Sequence, residues 1–224
     1  MQIGRTLPPA AAPIGRANLV SGIRGILAGP RELERFQSEL RAYFGVKHCF
    51  LVSSGKAAFT LILQALKELS PDRGEVLVPA FTCYSVPASV ARAGLRIRLC
   101  DMQPESLDFD FAQLSEMLPQ RTGNRQTGGI SGGGGPQVLK VPEPESAEAS
   151  KNRILAVVPT HLFGIPADVP RLRKLVKGSG IAIVEDAAQA MGEEIGDGKA
   201  GTLGDVSFFS LGRGKALSTV EGGV

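Results

Sequence analysis

The chain has 224 residues, of which 43% are hydrophobic and 21% are charged, and its formal net charge is +3. This composition is typical of a globular domain with a sizeable core, and it excludes a chain that is disordered throughout. No run of about 18 apolar residues occurs, so we expect no membrane-spanning helix.

Cysteine and aromatic content narrow the classes further. The three cysteines are scattered and form no CxxC pair, so neither a disulfide framework nor a zinc site is expected, and a reducing cytoplasm is the simplest location. With no tryptophan and 5% aromatic residues, the chain has little with which to stack on bases, so we expect no nucleic-acid partner. The Pro- and Ala-rich start has no long apolar block, so no secretory signal is expected.

Residues 1–29 are predicted to form an N-terminal arm, and residues 30–45 the first helix. Pro30 suits a helix start and Gly45 can end a helix. Between them, apolar residues recur every three or four positions, at Leu33, Phe36, Leu40 and Phe44.

The next part of the chain alternates between strands and helices. The predicted elements are a strand at Val46–Val52, a tight turn at 53–55, a helix at Lys56–Leu69, a strand at Glu75–Pro79, a helix at Pro87–Ala93, a strand ending at Asp101 and a helix at Asp110–Leu118. Residues 121–153 are rich in glycine, then in proline and glutamate, and cannot bury a core. We predict a disordered insertion or long loop there.

After residue 153 the pattern resumes, with buried strands predicted in ILAVVP (154–159), IAIVED (181–186) and DVSFFS (205–210). A helix is predicted over 170–176, which Asp168 can cap and Gly178 can end. This alternation predicts an α/β fold, a mainly parallel sheet with helices on both faces.

Four features fall at predicted strand ends, where ligands bind in such folds. The turn at 53–56 opens a helix, and the free N–H groups of a helix start attract an anion. Asp186 ends the IAIVED strand, His161 follows ILAVVP, and Lys215 follows DVSFF. Each has a plainer interpretation, as an ordinary turn, a helix cap, a structural histidine and a solvated loop lysine.

Together, the four features match the needs of pyridoxal 5′-phosphate (PLP). Its phosphate needs a helix N-terminus, its pyridine nitrogen a carboxylate, and its aldehyde a lysine amine. A nucleotide-binding module is the competing interpretation of the turn, but the GxxxxGK[ST] spacing of a P-loop is absent.

Five stretches carry a family resemblance: GVKHCFLVSSGKAAFTLIL, EVLVPAFTCYSVPASVARAG, VVPTHLFGIPADVPRL, IAIVEDAAQAMG and GDVSFFSLGRGKALSTVEGG. In order and spacing, they resemble the DegT/DnrJ/EryC1/StrS aminotransferases, which are sugar aminotransferases of PLP-dependent fold type I. The resemblance implies that residues 30–224 form an incomplete PLP-binding large domain, interrupted at 121–153, and that the C-terminal small domain is missing.

Carried over by position, the resemblance implies that Lys215 is the catalytic lysine, which forms a Schiff base with the cofactor. It implies cofactor contacts for Lys215 and for Ser54, Gly55 and Lys56 at the phosphate turn, Ser210 at the phosphate, Asp186 at the ring nitrogen, Gln189 near the ring hydroxyl, and His161 near the site. Lys56 replaces the family's usual threonine. Cys83 replaces an aromatic residue that stacks on the ring, and Phe81 or Tyr84 could substitute for it.

The resemblance implies an aminotransferase that moves an amino group from glutamate to a nucleotide-linked keto-sugar, working as a cytoplasmic homodimer. Family members that perform dehydration have histidine at the position of Lys215. The alternative that we keep is a truncated, catalytically inactive PLP-binding remnant or a regulatory protein of the same fold.

Overall fold

The computed structural model describes residues 15–119, 153–196 and 198–224. Its helices are α1 (Arg16–Ala28), α2 (Pro30–Phe44), α3 (Gly55–Leu69), α4 (Ser85–Arg92), α5 (Phe111–Met117) and α6 (Val169–Val176). Its strands are β1 (Glu75–Pro79), β2 (Arg96–Cys100), β3 (Ile154–Val157), β4 (Ala182–Asp186), β5 (Glu194–Ile195), β6 (Gly198–Lys199) and β7 (Val206–Phe208). A 3-10 turn at Leu162–Gly164 follows β3.

A five-stranded sheet with the order β2-β1-β3-β4-β7 forms the centre, and each neighbouring pair in it is parallel. β5 and β6 form a separate antiparallel pair. The predicted α/β fold with a mainly parallel sheet is therefore confirmed. Because the strands run in one direction, their carboxyl ends meet at one edge of the sheet.

Apolar side chains cover both faces of this sheet. On one face, α3 and α4 pack through a cluster that includes Phe59, Leu63, Val78, Val90 and Val184. On the other, α5 and α6 pack through a cluster that includes Leu77, Leu114, Val157, Leu172 and Ile183. The neighbours Ile183 and Val184 belong to different clusters because successive side chains of a strand point to opposite faces.

Local signals place the ends of two helices where the sequence predicted them. Pro30 is the first residue of α2, and Gly45 follows the helix in a left-handed conformation with φ of 65°. Asp168 caps α6, where its Oδ1 accepts the Arg171 N–H at 2.9 Å. In both cases the chemistry is local, which is why the sequence alone was enough.

The strand predicted at Val46–Val52 is wrong. In this segment Val52 forms an isolated antiparallel bridge with Gly223, and no named strand is assigned within the segment, all of which is described. The Gln37 side chain of α2 instead donates to the Cys49 carbonyl at 2.6 Å. The β-branched residues of this segment are typical of a strand, but its Cys49 carbonyl accepts a hydrogen bond from a helix side chain.

The predicted arm at 1–29 contains α1, a helix that the sequence analysis did not predict. None of the side chains of α1 is buried. Residues 1–14 and nearly all of the predicted insertion at 121–153 lie outside the described residues. Arg153 is described, and its carbonyl accepts the N–H groups of Gly74 and Glu75 at 3.0 and 3.1 Å.

Within the described ranges, no helix is long and apolar enough to cross a membrane, and no cluster of His, Cys, Asp and Glu could hold a metal ion. A mainly apolar groove of about 650 Å³ runs between residues 46–52 and β7, but none of the predicted site residues lines it.

Candidate active site

A smaller cavity, of about 210 Å³, lies where the carboxyl ends of β4 and β7 meet the start of α3. Seven of the eight predicted site residues line it: Ser54, Gly55, Lys56, Asp186, Gln189, Ser210 and Lys215. The eighth, His161, does not. The parallel sheet thus brings distant parts of the sequence to one site.

The turn before α3 presents N–H groups at the cavity. Ser54 is the N-cap, and its Oγ accepts the Ala57 N–H at 3.2 Å. The N–H groups of Gly55 and Lys56 have no partner within the helix, because no helical carbonyl precedes them by one turn. Together with the positive end of the helix dipole, these groups make the turn suitable for an anion.

Close backbone packing joins this turn to the end of β7. A Cβ atom on Gly55 would lie 3.2 Å from both the Phe209 carbonyl oxygen and the Ser210 Cβ, so a larger residue would push the two segments apart. Ser210 also forms an antiparallel bridge with Gly223, which exchanges hydrogen bonds of 2.9 and 3.0 Å with Val52. Gly223 therefore holds both sides of the anion site together.

Asp186 is the last residue of β4, and it is 4% exposed. Its Oδ1 accepts the Ala188 N–H at 3.1 Å, and among the described residues none hydrogen-bonds its Oδ2. Burial raises the pKa of Asp186 to about 6, although the Ala188 hydrogen bond and the charge of Lys215 act in the opposite direction. A cation placed against Oδ2 would favour the carboxylate form.

Lys215 lies in the loop that follows β7. Its backbone N–H bonds to the Gly212 carbonyl at 3.3 Å, and Gly214 before it has a φ of 77°, so a tight turn places the lysine. The half-buried Lys215 side chain and Asp186 line the same cavity. An amine and a carboxylate therefore line one cavity.

The side-chain amide of Gln189 has a defined orientation. Its Oε1 accepts the Phe163 N–H at 2.9 Å, which leaves the two N–H donors of Nε2 available. Phe163 has a φ of 55°, a conformation that side chains rarely adopt and that the surrounding structure must maintain. Gln189 can therefore donate to an oxygen acceptor in the cavity.

His161 does not reach the cavity. It is fully buried, its Nε2 lies 2.9 Å from Oε2 of Glu185, and its Nδ1 accepts the Ala167 N–H at 3.1 Å. Both ring nitrogens are therefore engaged within the protein. Of the two sequence-based interpretations of His161, this geometry fits the structural one and offers no direct contact with a cofactor.

The loop after β1 and the start of α4 supply further cavity residues, of which Cys83 and Tyr84 were predicted near the cofactor ring and Ser85 was not predicted. Cys83, Tyr84 and Ser85 line the cavity, and the Ser85 hydroxyl donates to the Cys83 sulfur at 3.1 Å. Tyr84 is 77% exposed, whereas Phe81, the other aromatic candidate, does not line the cavity. The polar TCYS run after a strand is the signal that could have identified Ser85.

The chemistry of these groups fits PLP. The start of α3 and the Lys56 side chain offer donors and positive charge to a phosphate, and Lys215 offers an amine to an aldehyde. The most specific observation is the buried Asp186, one oxygen of which has no partner in the described part of the chain. A protonated ring nitrogen would satisfy that oxygen.

Comparison with known proteins defines the class. The sequence profile of the DegT/DnrJ/EryC1/StrS aminotransferase family matches residues 21–224, and the chain belongs to this family. GDP-perosamine synthase of Vibrio cholerae is 27% identical over 192 residues, which cover 86% of this chain and 43% of that protein. L-glutamine:2-deoxy-scyllo-inosose aminotransferase of Streptomyces paromomycinus is 28% identical over 209 residues, which cover 93% and 41%.

A solved structure supports the fold assignment. E. coli GDP-4-keto-6-deoxy-D-mannose-3-dehydratase with bound hydrated PLP matches with a TM-score of 0.72 and 21% identity, over 96% of this chain and 49% of that chain. The match confirms the predicted fold, that of the large domain of PLP-dependent fold type I. The chain spans 43% and 41% of the lengths of the two curated relatives above.

Proposed function

We propose that this chain is the PLP-binding part of an aminotransferase that acts on a keto-sugar. The observation that carries the proposal is the cavity shared by Lys215 and the buried Asp186 at the start of α3. PLP, when bound, supplies an aldehyde that links to amines and a ring that withdraws electrons from the carbon beside the linked nitrogen.

The phosphate site consists of residues from two elements. The first N–H groups of α3, at Gly55 and Lys56, and the hydroxyl of Ser210 bind the phosphate oxygens. The exposed Lys56 side chain adds a positive charge at the rim. The Ser54 hydroxyl accepts the Ala57 N–H and so maintains the shape of the turn.

Asp186 and Gln189 orient the ring from its other side. Oδ2 of Asp186 would accept a hydrogen bond from the protonated ring nitrogen. This ion pair would be stronger than one in water, because Asp186 is buried. The Gln189 amide, which Phe163 orients, donates to the ring hydroxyl. Asp186 thereby keeps a proton on the ring.

Lys215 has two roles. With PLP bound, its Nζ amine would hold the aldehyde covalently, with loss of water, until an amino acid arrives. Once released, the amine removes the proton from the α-carbon of the donor, as a general base positioned within the cavity. Positioned acid–base groups of this kind commonly contribute about 10²–10⁴ in rate.

The substrates follow from the family and its members. We propose glutamate as the amino donor and a nucleotide-linked keto-sugar as the acceptor. One relative is named for a GDP-linked amino sugar, and another is named for L-glutamine as its donor. Glutamine is therefore the donor to compare with glutamate.

The assembly and the compartment are part of the same proposal. We propose a cytoplasmic homodimer, in which residues 1–29 form an arm and residues 30–224 form the PLP-binding domain. Support comes from one face of α1, where exposed apolar residues recur at helical spacing, at Leu19, Ile23, Ile26 and Leu27. Sedimentation as a monomer at micromolar concentration would contradict the dimer.

Absorbance spectroscopy tests the function. The purified chain is incubated with PLP, and the spectrum is recorded before and after adding glutamate or glutamine. We expect a visible band from the lysine-linked cofactor that changes when the donor is added. A band that does not respond to either donor would favour the inactive PLP-binding alternative, and the absence of a band would contradict PLP binding.

A further inference from the structure

Glu185 and His161 form a buried pair on the face of the sheet that lies opposite the cavity. Both side chains are fully buried, with 2.9 Å between Oε2 and Nε2, and neither lines the cavity. Along β4, Glu185 alternates with Asp186, so the two carboxyl groups point to opposite faces of the same strand. The proposed mechanism uses Asp186 and leaves this pair unexplained.

The hydrogen bonds define the protonation of both groups. Glu185 Oε2 accepts from Gly201 N–H at 2.9 Å and from His161, while Oε1 accepts from the N–H groups of Leu203 at 2.7 Å and Gly204. Because all four partners are donors, Glu185 is a carboxylate. His161 Nδ1 is an acceptor, so the imidazole is neutral and donates through Nε2.

These bonds connect three segments that lead to the cavity. His161 follows β3, and Glu185 belongs to β4. Residues 201–204 precede β7, and the loop after β7 carries Lys215. The His161 backbone N–H also donates to the carbonyl of Asp186 at 3.1 Å. The pair therefore spans the strand ends that carry the proposed ring-binding carboxylate and the proposed catalytic amine.

The packing leaves little space for an alternative arrangement. A Cβ atom on Gly204 would lie 2.9 Å from the Ile183 carbonyl oxygen and 3.1 Å from the Glu185 Cγ. A buried carboxylate is stable only where each of its donors is in place, so a shift of one segment would leave a charge without compensation. The pair thus favours one relative position of β3, β4 and β7.

We propose that Glu185 and His161 are positioning residues, whose buried pair fixes the ends of β4 and β7 so that Asp186 and Lys215 face each other across the cavity. The functional consequence rests on the roles proposed above for Asp186 and Lys215. The positioning role is independent of those proposed roles, because it concerns only the geometry of the chain.

The test follows the carboxyl group of Asp186 by ¹³C NMR during a pH titration of the cofactor-free chain. The midpoint depends first on the burial of Asp186, then on its hydrogen bond from Ala188 and on nearby charges, so displacement of the end of β4 or β7 will move it. We expect His161→Leu, which leaves the Glu185 charge in place, to shift the midpoint by at least about half a pH unit, and Glu185→Gln to shift it as well, partly through the loss of its own charge. His161→Gln keeps an N–H donor for Glu185, and its midpoint should stay close to the wild-type value.

The control is Leu172→Ala, which destabilises the apolar cluster on the same face and removes no hydrogen bond of the pair, because a leucine side chain has neither donor nor acceptor. It should lower stability without shifting the Asp186 midpoint. An equal shift in the control, or no shift in Glu185→Gln and His161→Leu, would overturn the proposal. If Glu185→Gln does not fold, the comparison of His161→Gln with His161→Leu decides.

The outcome is separable from that of the proposed function. A midpoint shift in the variants of a chain that never binds PLP would contradict the proposed function and leave the positioning role standing. Tight PLP binding together with an unchanged midpoint would overturn the positioning role alone.

Discussion

Gly223 lies directly against the backbone of Ser54, at the start of α3. A Cβ atom on Gly223 would overlap the Ser54 carbonyl group and the Gly55 nitrogen. Gly223 also bridges to Val52 and to Ser210, on the two sides of the proposed phosphate site. This contact accounts physically for a glycine at the end of the Glu-Gly-Gly sequence near the end of the chain.

Gly223→Ala is therefore expected to destabilise the chain by about 1–3 kcal/mol, because backbone atoms must move to make room for the methyl group. Binding of PLP should weaken as well. Urea unfolding and a PLP titration measure the two effects. Gly25→Ala is the matched control, since α1 leaves open space there and alanine favours a helix. Equal stability of the two variants would contradict the packing argument.

Lys215→Ala is expected to remove the visible absorbance of bound PLP and to abolish transamination, because no other amine is proposed to bind the aldehyde. The absorbance spectrum and a coupled donor assay provide the two readouts. Lys177→Ala removes an exposed lysine next to α6 and should change neither. A Lys215→Ala protein that keeps the visible band would show that another residue holds the cofactor.

Asp186→Asn is expected to be more stable than the wild-type chain near neutral pH. Burial raises the pKa of Asp186 to about 6, so the folded chain binds this proton more tightly than the unfolded chain does. Stability should therefore fall as pH rises from about 4 to about 6, by about 1–3 kcal/mol. Asparagine cannot ionise, but it keeps the Oδ1 acceptor for Ala188.

Urea unfolding at several pH values within that window tests this prediction. The stability of Asp186→Asn should not fall across this pH range, whereas the wild-type stability should fall. The control Asp72→Asn, at an exposed position, should behave as the wild type does. The same substitution should weaken PLP activation, because the amide cannot stabilise a protonated ring nitrogen. An Asp186→Asn chain that is less stable than wild type at neutral pH would contradict the burial argument.

Tyr84→Ala is expected to lower PLP affinity by about 2- to 10-fold if the tyrosine ring stacks on the cofactor. Tyr84→Phe keeps the ring and should bind as the wild type does. Phe81→Ala is the control, since Phe81 is exposed but does not line the cavity. Fluorescence titration with PLP measures all three. A larger loss in Phe81→Ala than in Tyr84→Ala would assign stacking to Phe81.

The sheet and most of the cavity residues are predictable from the sequence because both depend on local patterns. Buried strands such as β1 have nearly continuous apolar runs, and chemistry-bearing residues follow them directly. Parallel topology then brings Asp186 and Lys215 to one edge, whatever the loop lengths. For this reason, seven predicted residues line one cavity although they come from parts of the sequence that are far apart.

The predictions were incomplete where distant contacts decide the outcome. Val46–Val52 has the composition of a strand, yet its Cys49 carbonyl accepts a hydrogen bond from Gln37 of α2. His161 was predicted near the cofactor, but its partner Glu185 lies on the other face of the sheet. No short-range pattern shows which of two faces a side chain occupies beyond a strand end.

The amino-acid order by itself determined the α/β class, the helix ends at Pro30 and Asp168, and the group of candidates for a PLP site, because apolar periodicity, capping and strand-end position are properties of neighbouring residues. Only the tertiary structure decided that Gly223 supports the Ser54 turn and that His161 pairs with Glu185. These contacts join residues far apart in the chain, and their geometry is set by how the strands pack.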